Sequence, residues 1–177
     1  MAQDLLELIP EFNLISDSDL RQKTIDVFQR AMDKGGWQPA DLIRMPFTLL
    51  IDPCPANMVE HVRGVVRVAR SGAEQMAGIY GDRMPIDMDL LTSGALLHDV
   101  GKLVEYCEEG GRFVKSHHGK MLRHPFSGVG LGYDSGLPDE VLHMIAVHAK
   151  EGTGARVLAE AMIIHHADFM NFEPLHL

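Results

Sequence analysis

The run Leu90-Leu91-Thr92-Ser93-Gly94-Ala95-Leu96-Leu97 constrains this chain more than any other feature, because it is almost wholly apolar and stops abruptly at His98-Asp99. Such a segment belongs at the centre of a fold, with other elements packed around it. A run this short suits either a buried helix or a buried strand, and periodicity alone does not separate the two. Its neighbours decide for helix. Over 17–32 the apolar residues Leu20, Ile25, Val27, Phe28 and Ala31 share one helical face, with Ser16 or Ser18 as the cap and Gly35-Gly36 as the stop. Asn57 caps a long helix expected over 58–77, carrying Val62, Val65, Val66, Val68 and Ala69. Asp87 or Asp89 opens the apolar helix itself.

Further along, Leu137-Pro138-Asp139-Glu140 reads as a helix start, with proline early and acids in the first turn. Gly152 and Gly154 break the chain, and a last helix is expected over 156–169. A short helix is expected over 41–51, stopped by Asp52-Pro53-Cys54-Pro55. The glycine-rich, basic stretch 108–136 reads as loops around one short helix. The expectation is an all-α chain without repeats, divided into an N-terminal helical extension (1–52) and a main domain (53–177).

Hydrophobic residues make up 46% of the 177 and charged residues 23%, enough to build one core. A net charge of −9 supplies no general field for nucleic acid, so a nucleic-acid partner is not expected. No apolar run approaches the ~20 residues that span a bilayer. The opening Met-Ala-Gln-Asp-Leu-Leu lacks a basic region followed by an apolar one, and a cytoplasmic protein without a membrane partner is expected. Cys54 and Cys107 form no CxxC pair, which argues against a disulfide framework and a thiolate zinc site.

The ten histidines are the unusual count. His61 lies in the first turn of the long helix, His98-Asp99 and His148 end apolar runs, and Asp168 follows Met162-Ile163-Ile164-His165-His166-Ala167. A buried carboxylate without a partner costs several kcal/mol, so such residues come with a cation or strong donors. One metal ion satisfies His98, Asp99 and Asp168 together, and imidazole with carboxylate suits iron, manganese, zinc or nickel. Gly101 permits close approach of another backbone or of substrate. Lys102, three residues after Asp99, shares its helical face and is placed to neutralise a phosphate. Arg112, Lys115, His117, His118, Lys120 and Arg123 form a local basic stretch suited to a small anionic substrate. Each residue also has a plain reading. His61 and His148 can be solvent-touching helix-end residues, His98-Asp99 an ion pair or cap, Asp168 an acceptor from His165, and the basic stretch a solvated loop. His143, His165 and His166 read as surface or supporting residues.

Taken in order, His61, His98-Asp99 and Asp168 resemble the H…HD…D pattern of the HD superfamily of metal-dependent phosphohydrolases, and Leu-Leu-His-Asp-Val-Gly-Lys is its most specific element here. The resemblance covers roughly 58–172. It implies an all-α HD-domain helical bundle holding one or two divalent metals. His124 and His148 fall where two-metal members place further ligands, with His117 and His118 as alternatives to His124. On that pattern Asp99 bridges two metals, His61, His98 and Asp168 serve one, and His124 and His148 serve the other. The implied activity is hydrolysis of a small phosphorylated metabolite or nucleotide by a metal-activated water, with Asp99 and Lys102 in the chemistry. Two readings compete with it: a di-iron oxygenase of the HD type acting on a small polar metabolite, and a non-catalytic HD-fold regulator. The segment Ile163-Ile164-His165-His166-Ala167-Asp168, with Glu173-Pro174 after it, is similar to the end of bacterial diadenosine-tetraphosphate hydrolases. His148-Ala149-Lys150-Glu151-Gly152 departs from the extended motif of the HD-GYP cyclic-dinucleotide phosphodiesterases, which argues against that activity. Self-association stays open.

Overall fold

The computed structural model describes residues 2–177. Ten α-helices and one hairpin follow in order: α1 (Ala2–Leu8), α2 (Ser18–Gly35), α3 (Pro39–Leu42), α4 (Met58–Tyr80), α5 (Met88–Leu97), α6 (Lys102–Glu105), β1 (Tyr106–Glu109), β2 (Arg112–Lys115), α7 (His117–Met121), α8 (His124–Tyr133), α9 (Asp139–Val147) and α10 (Ala159–Phe172), with short 3-10 turns between. The all-α expectation holds, apart from the small hairpin.

The helix boundaries follow capping chemistry. Asp17, not Ser16 or Ser18, caps α2, its carboxylate accepting from the backbone N–H of Asp19 at 2.8 Å and of Leu20 at 3.0 Å. Gly36 ends α2 at φ 77°, the left-handed conformation that glycine adopts without Cβ strain. Asn57 and Glu60 form a reciprocal capping box at the start of α4, with bonds of 3.0 and 2.9 Å. Asp87 caps α5 through the N–H groups of Asp89 and Leu90. Thereafter every residue from Leu91 to Leu97 is buried, and α5 is the central helix, enclosed by α2, α4, α9 and α10.

Three expectations are corrected. The helix over 41–51 shrinks to the single turn of α3; beyond it Pro46 bridges to Asn57, so this stretch is tied to the head of α4 instead of coiling on itself. The stretch 108–136 holds more order than loops around one helix. It begins in the antiparallel hairpin β1–β2, turned by Gly110 and Gly111 at φ 59° and 76°, and continues into α7 and α8. The last helix starts at Ala159 and runs to Phe172, later at both ends than the expected 156–169.

One apolar core runs through the described residues. Leu5, Phe12, Phe28 and Met32 from the N-terminal stretch share it with Val62, Leu96, Ile145 and Ile164. Glu11, 4% exposed, is tied to α4 by Arg63 Nε at 3.0 Å and Arg67 Nε at 2.8 Å. Two glycines let helices approach closely. A Cβ on Gly64 would sit 2.5 Å from Asn171 Oδ1, where α4 meets α10. A Cβ on Gly101 would sit 2.0 Å from the carbonyl oxygen of His124, so the glycine after His98-Asp99 receives the backbone of α8.

Candidate metal centre

α5 and α9 end in the same way. Each is a buried apolar helix whose C-cap is a histidine, His98 and His148, and whose Nδ1–H donates to the carbonyl three residues back. His98 binds Ala95 O at 2.7 Å and His148 binds Ile145 O at 2.8 Å. These bonds put the proton on Nδ1 and turn the Nε2 lone pair toward the space between the helices. Asp99 therefore stands in the turn after α5, one residue beyond its histidine C-cap. The turn, not the groove of a helix, aims both side chains at one place.

His61, in the first turn of α4, brings its Nε2 to 3.2 Å from Asp99 Oδ2, 3.2 Å from Asp168 Oδ1 and 3.2 Å from His98 Nε2. His98 Nε2 lies 3.4 Å from Asp99 Oδ2 and 3.9 Å from Asp168 Oδ1. On the other side, Asp99 Oδ1 lies 3.2 Å from His124 Nε2 and 3.5 Å from His148 Nε2, and those two nitrogens are 3.2 Å apart. The donors thus form two groups, His61, His98, Asp99 and Asp168 in one and Asp99, His124 and His148 in the other. Asp99 gives one carboxylate oxygen to each.

The chemistry of the donors fits a divalent cation in each group. Ligand bonds of about 2.1 Å put neighbouring donors roughly 3.0 Å apart in an octahedron and roughly 3.4 Å apart in a tetrahedron. The spacings above fall in or near that range. His124 Nδ1–H donates to Glu105 Oε2 at 3.0 Å, so its Nε2 and that of His148 face each other as bare lone pairs. Between two neutral imidazoles so placed, a shared cation would remove the repulsion.

The electrostatics agree. Burial pushes the His124 imidazole down to about 4, against the pull of Glu105 and Asp99, which keeps it neutral and able to ligate. Burial works against the Asp168 carboxylate, but the His61 bond and the charge of His98 bring it to about 2. Burial also opposes ionisation of Asp99; the Lys102 ammonium and the surrounding imidazoles nonetheless hold it well below the usual carboxylate range. His98 is raised: burial opposes its charge, and Asp99 outweighs burial. His61 stacks on Phe47, ring centroids 4.4 Å apart, and its Nδ1 is buried without a hydrogen bond.

Lys102 is closer to the centre than its expected task requires. Its Nζ is 2.6 Å from Asp99 Oδ2 and donates to Phe47 O at 2.7 Å, so most of its hydrogen-bonding capacity is already used. His117 and His118, the alternatives to His124, line a different groove, and His118 Nε2 bonds Ser127 Oγ at 2.7 Å. Of the basic stretch, Lys115 and Arg123 line the cavity above the metal centre. His165 supports His148 from behind, its Nδ1 2.6 Å from the His148 carbonyl oxygen.

Glu105 is the residue that sequence reasoning missed. It is 2% exposed, accepts from both the backbone N–H and the Nδ1–H of His124, and is brought to about 2 against the effect of burial, first by the His124 hydrogen bond. It sits six residues beyond Asp99 at the end of α6, and no local pattern links it to a histidine nineteen residues later. The cavity, about 350 Å³, opens over Asp99, His124, His148 and Asp168 and also touches Phe47, Lys150, Phe169 and Phe172, none of which the sequence singled out as a site residue.

An all-helical bundle that splits one aspartate between two imidazole-rich donor groups defines a class, the metal-centred helical proteins with an HD pair. The HD-domain family profile matches residues 58–170, and the chain belongs to that family. It is 32% identical over 115 residues to the dihydroneopterin 2',3'-cyclic phosphate phosphodiesterase of Methanocaldococcus jannaschii, a match over 63% of this chain and 45% of that protein. The chain therefore spans less than half the length of this relative. No solved structure gives a significant match.

Proposed function

We propose that the chain is a metal-dependent hydrolase of phosphate esters, acting on a small phosphorylated metabolite at a centre for two divalent cations. The observation that carries this reading is Asp99, whose two carboxylate oxygens face two separate sets of imidazoles. His61, His98, Asp99 and Asp168 would hold one cation and Asp99, His124 and His148 the other; iron, manganese, nickel and zinc all suit these donors. Cations so held supply Lewis acidity to a phosphoryl oxygen and lower the pKa of a bound water.

The remaining residues set up that chemistry. Glu105 fixes the tautomer and ring orientation of His124, and the carbonyls of Ala95 and Ile145 do the same for His98 and His148. Burial disfavours the Lys102 charge, yet Asp99 beside it raises the ammonium above its ordinary value. In this reading Lys102 fixes the bridging carboxylate and lends positive potential to the cavity floor. Lys115 and Arg123 stand at the mouth, paired with Glu105 and Glu151. The named activity of the archaeal relative, a cyclic-phosphate phosphodiesterase, supports hydrolysis over oxygenation. The filled donor set supports an enzyme over a regulator.

The test is turnover of phosphate mono- and diesters, 2',3'-cyclic phosphates among them, by protein prepared without chelator. Activity that disappears with EDTA and returns with manganese is expected. Protein that binds metal yet leaves every ester intact, under air and under nitrogen, contradicts the reading.

A further inference from the structure

The cavity over the candidate metal centre is lined by both aromatic rings and cations. The rings of Phe47, Phe172 and Phe169 follow one another edge to face, with centroids 6.2 Å apart for Phe47–Phe172 and 6.4 Å apart for Phe169–Phe172. Phe47 is buried and committed to His61. Phe169 and Phe172 are only half-buried, and Phe169 directly follows the metal-facing Asp168. Aromatic surface left partly uncovered beside a polar centre is a natural place for another flat apolar group, because covering it removes apolar area from water and allows ring stacking.

The cations that line the cavity, Lys102, Lys115, Arg123 and Lys150, are not equivalent. Lys115 Nζ lies 3.2 Å from Glu105, Arg123 Nε lies 2.8 Å from Glu151, and Lys102 is held by Asp99. Lys150 also lines the cavity, and among the described residues it has no ion pair. It stands two residues after His148, exposed at the first position of a 3-10 turn whose last residue, Gly152, is buried. An ammonium on a flexible stem beside a metal centre suits a phosphate oxygen.

We infer that the substrate is a phosphate ester carrying a planar aromatic ring, with Phe169 and Phe172 receiving the ring and Lys150 pairing with a non-reacting phosphate oxygen. This inference rests on the proposed hydrolase activity for its phosphate half. Phe169, Phe172 and Lys150 are then the specificity-determining residues. The ring binds above the cations, on the side of α10, and the reacting group reaches inward to Asp99.

The test uses two esters with the same reacting group, adenosine 2',3'-cyclic phosphate and glycerol 1,2-cyclic phosphate, and the manganese-loaded protein. The adenosine ester should be preferred in kcat/KM by on the order of tenfold, the scale of one base stacked on an aromatic side chain. Phe169→Leu and Phe172→Leu should each shrink that ratio. Lys150→Gln should raise KM for both esters by about tenfold, the loss of one charge-assisted contact. Calorimetric titration with adenosine 2'-phosphate against glycerol 2-phosphate reads the subsite without turnover, and the same preference and the same losses are expected. Equal kcat/KM for the two esters, or a preference that survives both phenylalanine substitutions, overturns the inference while leaving the hydrolase standing. Ring-dependent binding without hydrolysis of either ester supports the subsite and overturns the hydrolase instead.

Discussion

His98 and His148 show how little local sequence is needed to aim an imidazole at a candidate metal site. Each terminates a buried apolar helix, and each donates Nδ1–H to the carbonyl three residues earlier, which leaves Nε2 directed inward. That is why both stood out in the chain as a histidine ending an apolar run. His124 is oriented by a side chain, Glu105, and not by its own helix, so its supporting residue could not be found from spacing. This difference is testable. Glu105→Ala releases His124 Nδ1 and should weaken the metal held with His148 by about 10–100-fold, the usual scale for losing such a partner. Competition titration with a metal-binding dye reads this directly, and equal weakening at the group around His61 would show that Glu105 acts on the whole fold.

At the scale of elements, the capped helices were legible and the region between them was less so. Asn57, and the choice of Asp87 or Asp89, announced α4 and α5 because capping is a local hydrogen-bonding problem, and Asp87 is the cap of α5. The hairpin escaped because the glycine-rich, basic stretch 108–136 read as loops around one short helix; the Gly110-Gly111 pair, which suits a tight hairpin turn, was the available signal. The stretch 41–51 failed as a helix because its partner is the head of α4, a contact distant in sequence. Gly101 was read correctly as a point of close approach, and the approaching backbone is that of α8. Gly101→Ala should therefore displace α8, cost about 1–3 kcal/mol in urea unfolding, and lower metal content at the His124 side first. A normal metal count in a destabilised variant would separate packing from the site.

A second element-level prediction concerns Asp89, which accepts from Ser16 N at 2.9 Å, Ser16 Oγ at 2.6 Å and Asp17 N at 2.8 Å and so holds the start of α2 to α5. Burial opposes its charge, but the Ser16 bonds outweigh burial and lower its pKa below 3.8. A lowered folded-state value stabilises the fold above pH 3.8, and this contribution is lost as pH falls through the folded value. Asp89→Asn should cost about 1–2 kcal/mol at pH 7, and the gap from the parent should narrow below pH 4. Denaturant melts at both pH values measure it, and a gap that widens in acid would contradict the assignment.

The whole molecule joins its N-terminal stretch to the metal centre. The family match begins at residue 58, yet Phe47 stacks on His61 and its carbonyl oxygen accepts from Lys102. Leu5, Phe12 and Phe28 complete the core under the same helices. The H…HD…D order was visible in the chain because the family spacing is specific. The lining of the cavity over this site was not, since Phe47, Lys150 and Phe172 meet only after folding. Among the described residues no helix is long and apolar enough to cross a membrane. On the proposed reading Asp99 serves two cations at once. That reading is tested by elemental analysis of metal per chain, on protein purified under nitrogen without chelator or affinity-tag nickel. Two divalent ions per chain are predicted, falling to one in His124→Ala and to none in Asp99→Ala. Full metal content in Asp99→Ala, or none in the parent even after titration, would contradict it.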